Sequence, residues 1–407
     1  MRKTYLDPTI TLQKMIGDQI FESLQGPVVE FLRCEYDDGD ADDTTKEQQE
    51  CNNMMIEENT FPDLYRICMQ AKQTIGFEQD IDFYLTADSS INASSIASNK
   101  PDKQPHVIEL NSGLVQLMSE QELLFVIGHE IGHLINGDAQ LRKLRGFIYG
   151  KDELPTFFQY RFDLYNLLAE LAADRYGYIA CGGDEKTSID VMYKLTSGID
   201  IGKMNVNFSA LIKENKKHLN YFMKNPDRNI GTTHPVHPVR IHSLHIYATC
   251  RTEEHLDKEM AKIEDRFSQL DETDATYTRF YIAAGLLMGN VDGPISDNQK
   301  YCILNYVGRH CWFPSDFVEQ ISKNYDLEES YHNTVQLLIN DEDGRLKMLD
   351  YLLAIAFADK KFTENELKFI CQFGQEVGWD YKETVAYTSQ LLSRHFAHNV
   401  HFSINKT

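Results

Sequence analysis

The stretch that most constrains this chain is Ser119 to Gly137, SEQELLFVIGHEIGHLING, which sets the spacing His129-Glu130-x-x-His133 inside a capped amphipathic pattern. Ser119 and Glu122 make a capping-box signature, Leu123, Val126, Ile127, Ile131, Leu134 and Ile135 form an apolar stripe, and Asn136-Gly137 supplies a stop. Residues four apart share a helix face, so both imidazoles can meet one ion, while Glu130 is turned about 100° from His129. Two neutral imidazoles suit a tetrahedral zinc shell, and a carboxylate just beyond them can take a proton from water. His129 and His133 are therefore candidate zinc ligands, and Glu130 the candidate general base and acid. The bland alternative is two packed or solvated histidines. With 14 His in 407 residues, the spacing arises by chance far less than once per chain, and the helical context makes it rarer still.

The length leaves room for two or three domains, and 42% hydrophobic residues fit an ordinary globular core. A formal charge of −22 repels nucleic acid and anionic membrane surfaces, so neither is an expected partner. The eight cysteines are scattered without a Cys-x-x-Cys pair, which reads as free thiols in a reducing compartment. The start, MRKTYLDPTITLQKMIGDQIFESL, is too polar for a signal-peptide core, and no run reaches 18 apolar residues. The expectation is a cytoplasmic protein with no transmembrane anchor.

In chain order, Thr9 to Arg33 has helical periodicity interrupted at Gly26-Pro27, and Glu35 to Asp43, EYDDGDADD, reads as a solvated loop. Phe61 to Ile75 reads as a helix, with Ile81 to Thr86 and His106 to Leu110 as strands. The Ser/Asn-rich SSINASSIASNKPDKQ between them suits a loop or a sheet edge beside a cleft. Leu141 to Pro155 reads as a mixed basic connection, followed by a helix from Thr156 to Cys181 stopped by Gly182-Gly183. Thr233-His234-Pro235-Val236-His237-Pro238-Val239-Arg240-Ile241 opens a helix expected to run toward Phe267.

Two carboxylates compete to be the third ligand. Glu153 follows His133 at a thermolysin-like distance, but Gly150 and Pro155 around it suggest a loop. Glu170 is better placed, because Glu170-Leu171-Ala172-Ala173-Asp174 is helical, puts Glu170 and Asp174 on one face, and has small alanines that allow close approach. One of that pair can ligate while Asp174 orients a ligating imidazole; the plain alternative is a solvated acidic face. His234 and Arg240, if near a polarised carbonyl, are candidates to stabilise an oxyanion.

The ordered set HEIGH, ELAAD and THPVHPVRI resembles the peptidase family of HtpX and the CAAX prenyl endopeptidases, gluzincins with zinc on two His and one Glu. The resemblance runs from about Pro62 to Leu244, and Ile91-Asn92-Ala93 resembles that family's edge-strand motif. It implies a zincin-like α+β peptidase domain with a small sheet in which His129, His133 and Glu170 bind one zinc per chain. By the same implication Glu130 is the base, Asp174 supports a ligand, His234 and Arg240 lie beside the reacting carbonyl, and Asn92 with Ala93 contacts a peptide or protein substrate. Unlike the best-known members, this chain lacks apolar spans, so their substrates do not carry over.

After Ile282, AAGLLMGNVDGPISDNQKYCIL recurs loosely as LLAIAFADKKFTENELKFICQF, pairing Asp292 with Asp359 and Ser296 with Thr363. The second copy resembles the all-helical TerB (tellurite-resistance) family, which implies a separate helical domain open to a protein partner. The fold class expected is mainly α: an N-terminal helical extension over 1–60, a peptidase domain over 61–273 and an all-helical domain over 274–407. The expected activity is that of a zinc metalloendopeptidase. The rival is a non-hydrolytic, zinc-stabilised peptide-binding adaptor, which would need no Glu130 and would favour a fourth protein ligand such as His237.

Overall fold

The computed structural model describes residues 5–37, 40–150, 154, 156–200, 203–204, 207–224, 235–268, 272–308, 318, 323, 326–340, 342–359 and 362–399. They fall into two compact units, Met1–Glu153 with Arg161–Gln269, and Leu154–Tyr160 with Leu270–Thr407. The structure is mainly α with one small four-stranded mixed sheet.

The first unit begins with α1 (Thr11–Ser23) and α2 (Gly26–Asp37), separated where Gln25 takes φ 54° and Pro27 occupies the first turn of the next helix. The buried face of α1 is Gln13, Ile16, Gly17 and Ile20, a helical stripe with one polar member. Then comes α3 (Asp40–Asn52), so the acidic run is not the solvated loop expected. The described part of that run falls at the end of α2 and the start of α3, and acids in the first turn of a helix are favoured by its dipole. The chain goes on through β1 (Met54–Met55) and α4 (Pro62–Ile75), which ends at the left-handed Gly76.

Three strands follow: β2 (Ile81–Thr86), β3 (Ala93–Ile96) and β4 (His106–Asn111). The sheet order is β1-β2-β4-β3. β2 and β4 run parallel, with Ile81 opposite His106, while β3 pairs antiparallel with β4, Ala93 opposite Leu110. The Ser/Asn-rich stretch thus contributes an edge strand of the described sheet.

The helical part of the unit comprises α5 (Ser112–Leu117), α6 (Glu120–Ile135), α7 (Asp138–Tyr149), α8 (Thr156–Ala180, from Arg161 onward in this unit), α9 (Glu185–Ser197), α10 (Phe208–Lys224), α11 (His237–Thr249) and α12 (Glu253–Ser268). Two expectations are corrected here. Most of Leu141 to Pro155 is helix and not a connection, because Leu141 and Leu144 bury on one face and outweigh the charges and Gly146. The helix after Pro238 does not run unbroken toward Phe267: Cys250 is extended, and the Thr252 hydroxyl accepts the His255 N–H at 3.3 Å to start a new helix.

The second unit contains α13 (Glu272–Gly289), α14 (Asp297–Val307), α15 (Leu327–Leu338), α16 (Glu342–Ala358), α17 (Glu364–Glu376) and α18 (Tyr381–Asn399). Its core gathers Phe280, Ile303, Val335, Tyr351, Leu352, Ile355 and Phe373, all buried. The Tyr351 hydroxyl, sunk in that core, donates to the Tyr281 carbonyl. Both related segments are helix, turn, helix, and capping boxes at Ser296/Gln299 and Thr363/Glu366 start α14 and α17. Among the described residues no helix is long and apolar enough to cross a membrane.

Candidate metal centre

Helix α6 carries the site. At its start the Ser119 N–H donates to Glu122 Oε2 at 2.7 Å, and Glu122 is in turn held by the buried Lys194 ammonium at 2.8 Å. That pairing lets a capping carboxylate sit inside the protein, since a buried charge needs an opposite one. The helix then buries almost its whole circumference, including His129, Glu130 and His133.

Helix α8 crosses α6 closely because both are stripped of side chains where they touch. A Cβ on Gly128 would lie 2.4 Å from the Ala180 Cβ, one on Gly132 3.1 Å from the Ala173 Cα, and one on Gly177 2.7 Å from the Phe125 carbonyl oxygen. The close approach brings Glu170 to the imidazoles. The two Nε2 atoms are 3.1 Å apart, Glu170 Oε2 is 3.6 Å from His129 Nε2, and Glu170 Oε1 is 3.5 Å from His133 Nε2. Ligands about 2.1 Å from a common tetrahedral centre lie about 3.4 Å from one another, so this triangle fits a zinc ion. Among the described residues, His129, His133 and Glu170 are the group that could hold a metal.

The other ring nitrogens supply a second test of fit. His129 Nδ1 is 3.0 Å from Asp174 Oδ1, and His133 Nδ1 is 2.8 Å from Asp138 Oδ2. A proton shared with a carboxylate at Nδ1 leaves the Nε2 lone pair facing the triangle, which is how ligating imidazoles are usually held. Asp174 is gripped in turn by Arg240, whose Nε donates to Oδ2 at 2.9 Å and whose Nη2 donates to Oδ1 at 2.6 Å. Asp138 Oδ1 accepts from the Tyr165 hydroxyl at 2.5 Å and from Gln13 Nε2 at 3.1 Å.

The electrostatics follow from burial opposed by partners. Burial disfavours a charged His129, but Asp174 and Glu170 outweigh it and push its pKa up to about 10. Burial likewise raises Glu170 and Asp174, yet the nearby imidazoles and Arg240 hold both below the usual carboxylate range. Burial disfavours the Arg240 cation too, but Asp174, Glu170 and Glu130 keep it charged. A negative field strong enough to favour a proton among these groups also favours a dipositive ion.

A cleft of about 390 Å³ opens on this centre, lined by Glu130 and Arg240 on one side and by Asn92, Ala93 and the rest of the β3 edge on another. His129, Glu130, His133, Glu170, Arg240, Asn92 and Ala93 are thus together, with Asp174 directly behind His129. His237 packs near the Tyr193 ring, 6.1 Å between centroids, and is not in the donor group. His234 and Glu153 lie outside the described residues. Sequence reasoning missed Asp138, which Gly137, left-handed at φ +74°, turns back toward His133; its signal was an acid directly after the helix stop Asn136-Gly137, five residues beyond His133. It also missed the Gly128-x-x-x-Gly132 spacing, visible in the sequence as a small-residue face turned about 100° from the histidines.

No curated protein and no solved structure matches the chain. The model of peptidase family M48 matches residues 58–166, a span that contains His129, Glu130, His133 and Asp138 and stops just short of Glu170.

Proposed function

We propose that the first unit is a zinc metalloendopeptidase in which His129, His133 and Glu170 hold the ion. The observation that carries this is the triangle of three donor atoms with a carboxylate behind each imidazole, facing a cleft that also contains Glu130. When bound, zinc supplies a Lewis acid for the scissile carbonyl and lowers the pKa of water. Glu130 removes the proton of the attacking water and delivers it to the leaving amine. Asp174, clamped by Arg240, and Asp138 keep the two imidazoles in the ligating tautomer. Asn92 and Ala93, at the free edge of β3, align an extended peptide by strand addition, with alternate side chains pointing into the cleft. Arg240 lends positive potential beside the reacting carbonyl, and His234, on the family resemblance, adds a donor to the oxyanion.

Three protein donors and a cleft leave a coordination position for substrate, as a catalytic site requires, and a buried Glu130 has no task in a scaffold. The test is zinc content together with cleavage of an unbiased peptide library. Wild type should bind one zinc per chain and cut internal bonds. Zinc without cleavage under any condition would favour the adaptor reading, and no zinc would remove both. The helical second unit is proposed to recruit a protein partner, so a chain ending near Thr273 should keep zinc.

A further inference from the structure

We propose that helix α1, which lies outside the residues matched to the peptidase family, is a working part of the metal centre, with Gln13 as a positioning residue for the ligand His133. The inference rests on the metal reading above and adds a role to a segment that reading does not use.

The argument starts from an exception in the sequence. The buried face of α1 is Gln13, Ile16, Gly17 and Ile20, and only Gln13 is polar. A buried amide costs stability unless bonded, so an apolar residue would serve packing better there. Its Nε2 donates to Asp138 Oδ1 at 3.1 Å, across 125 residues of chain. Asp138 is itself 2% exposed and has two tasks for its oxygens. Oδ2 faces His133 Nδ1 at 2.8 Å, and Oδ1 accepts from Gln13 and from the Tyr165 hydroxyl. Two neutral donors on one oxygen fix the plane of the carboxylate, and that plane fixes the imidazole.

Two further features lock α1 in place for this task. Tyr165 reaches Asp138 by lying against Gly17, where a Cβ would come 2.8 Å from the ring atom Cε2. The chain leading into α1 is tied to the other side of the centre: the buried Arg175, next to Asp174, donates from Nη1 to the Thr9 carbonyl at 2.9 Å. The Tyr247 hydroxyl donates to the Leu6 carbonyl at 2.6 Å. The segment before α1 is therefore anchored by the residue that follows Asp174, and α1 itself by the residue that supports His133.

The test uses the full chain with zinc, measuring the dissociation constant by chelator competition and the melting temperature of the chelator-stripped protein. Gln13→Leu and Tyr165→Phe are compared with Ile16→Val, which lies one turn along the same buried face and only packs. Each of the first two should weaken zinc by about 10–100-fold, and the double variant by less than the product, because both act on one carboxylate. Ile16→Val should lower the melting temperature and leave zinc affinity unchanged. The cobalt-substituted Gln13→Leu protein should show shifted visible bands as the His133 ring reorients. If Gln13→Leu does not fold, Tyr165→Phe decides alone. Wild-type zinc affinity in Gln13→Leu, or in Tyr165→Phe, overturns the inference and leaves the metal reading intact, whereas a wild-type chain that takes no zinc overturns that reading as well.

Discussion

Helices α6 and α17 begin alike and differ in what they bury. Each opens with a hydroxyl residue at the N-cap and a glutamate three positions on, Ser119 with Glu122 and Thr363 with Glu366, both pairs closing a capping box. Behind the cap, α17 buries Ile370, Phe373 and Gly374, which serve its core, whereas α6 buries His129, Glu130 and His133 among its apolar residues. Three titratable side chains on a helix that could have been apolar cost stability unless each has a partner. Their partners come from other helices: Asp174, itself gripped by Arg240, for His129, Asp138 for His133, and the charge of Arg240 for Glu130. A cap marks where a helix starts, and unexplained polarity in its buried face marks what the helix is for.

The comparison breaks most severely at Glu130. Glu130→Gln keeps the shape and the packing of α6 and should keep its zinc, while peptide cleavage falls by about 10²–10⁴-fold, the usual worth of a general acid–base group. Zinc analysis alongside turnover checks it, and joint loss of metal and activity would mean that Glu130 belongs to the structure of the centre. Glu170→Ala should instead strip the metal.

Next in size is the clamp behind His129. Arg240→Met leaves Asp174 charged and buried without its bidentate partner, which costs about 3–5 kcal/mol in denaturant unfolding. Arg240→Lys should recover part of that, since an ammonium replaces the charge but not the two-pronged geometry. An unfolding midpoint unmoved by Arg240→Met would show that Asp174 has other support. Among the described residues no bidentate clamp of this kind stands behind α17, where the one buried charged side chain is the capping Glu366 and the rest of the buried face is Ile370, Phe373 and Gly374.

A smaller effect belongs to the helix crossing. Gly132→Ala puts a methyl 3.1 Å from the Ala173 Cα and within 3.0 Å of Tyr176 Cβ, so α8 must shift, at about 1–3 kcal/mol. Because Glu170 rides on α8, zinc affinity should fall with stability in this variant. Lost stability with unchanged affinity would separate the crossing from the metal triangle.

These effects also show why parts of the molecule were legible in the sequence and others were not. The α6 helix was readable because its cap, stripe and motif are local, and β2 and β4 because short β-branched and aromatic runs lie between turns. Helix α7 was not, since Arg142, Lys143, Arg145 and Gly146 obscure the two leucines that bury. The acids of Asp40 to Asp43 hid a helix start behind the look of a solvated loop. The association of Gln13, Asp138 and Tyr165 has no local signature, because residues far apart in the chain meet only once α1, α7 and α8 are packed.

The smallest expected effect sharpens the comparison at the caps themselves, where the same substitution should have opposite signs. Glu122 is answered by Lys194, which is also 3.1 Å from Asp200, and burial, which disfavours the Lys194 cation, is outweighed by these two acids. Glu122→Gln removes half of that compensation, so the first unit should lose about 1–3 kcal/mol. Glu366 has the contrary surroundings. Its carboxylate accepts the Thr363 N–H at 2.8 Å, but burial, followed by the charges of Asp359 and Asp292, raises its pKa. A carboxyl raised in the folded state contributes stability below its unfolded pKa and loses it as pH rises through the folded value. Glu366→Gln keeps the acceptor and discards the charge, so near neutral pH it should be neutral or stabilising by about 0.5 kcal/mol after solvent screening. The advantage should vanish at acid pH, where wild type is protonated. Hydrogen exchange at the Leu123 and Leu367 amides, each bonded to its N-cap carbonyl at 2.9 and 3.1 Å, reads the two caps separately in one chain. Faster exchange at Leu367 in Glu366→Gln at neutral pH would mean that its charge is welcome there, and that the two helix starts are alike in energy as well as in form.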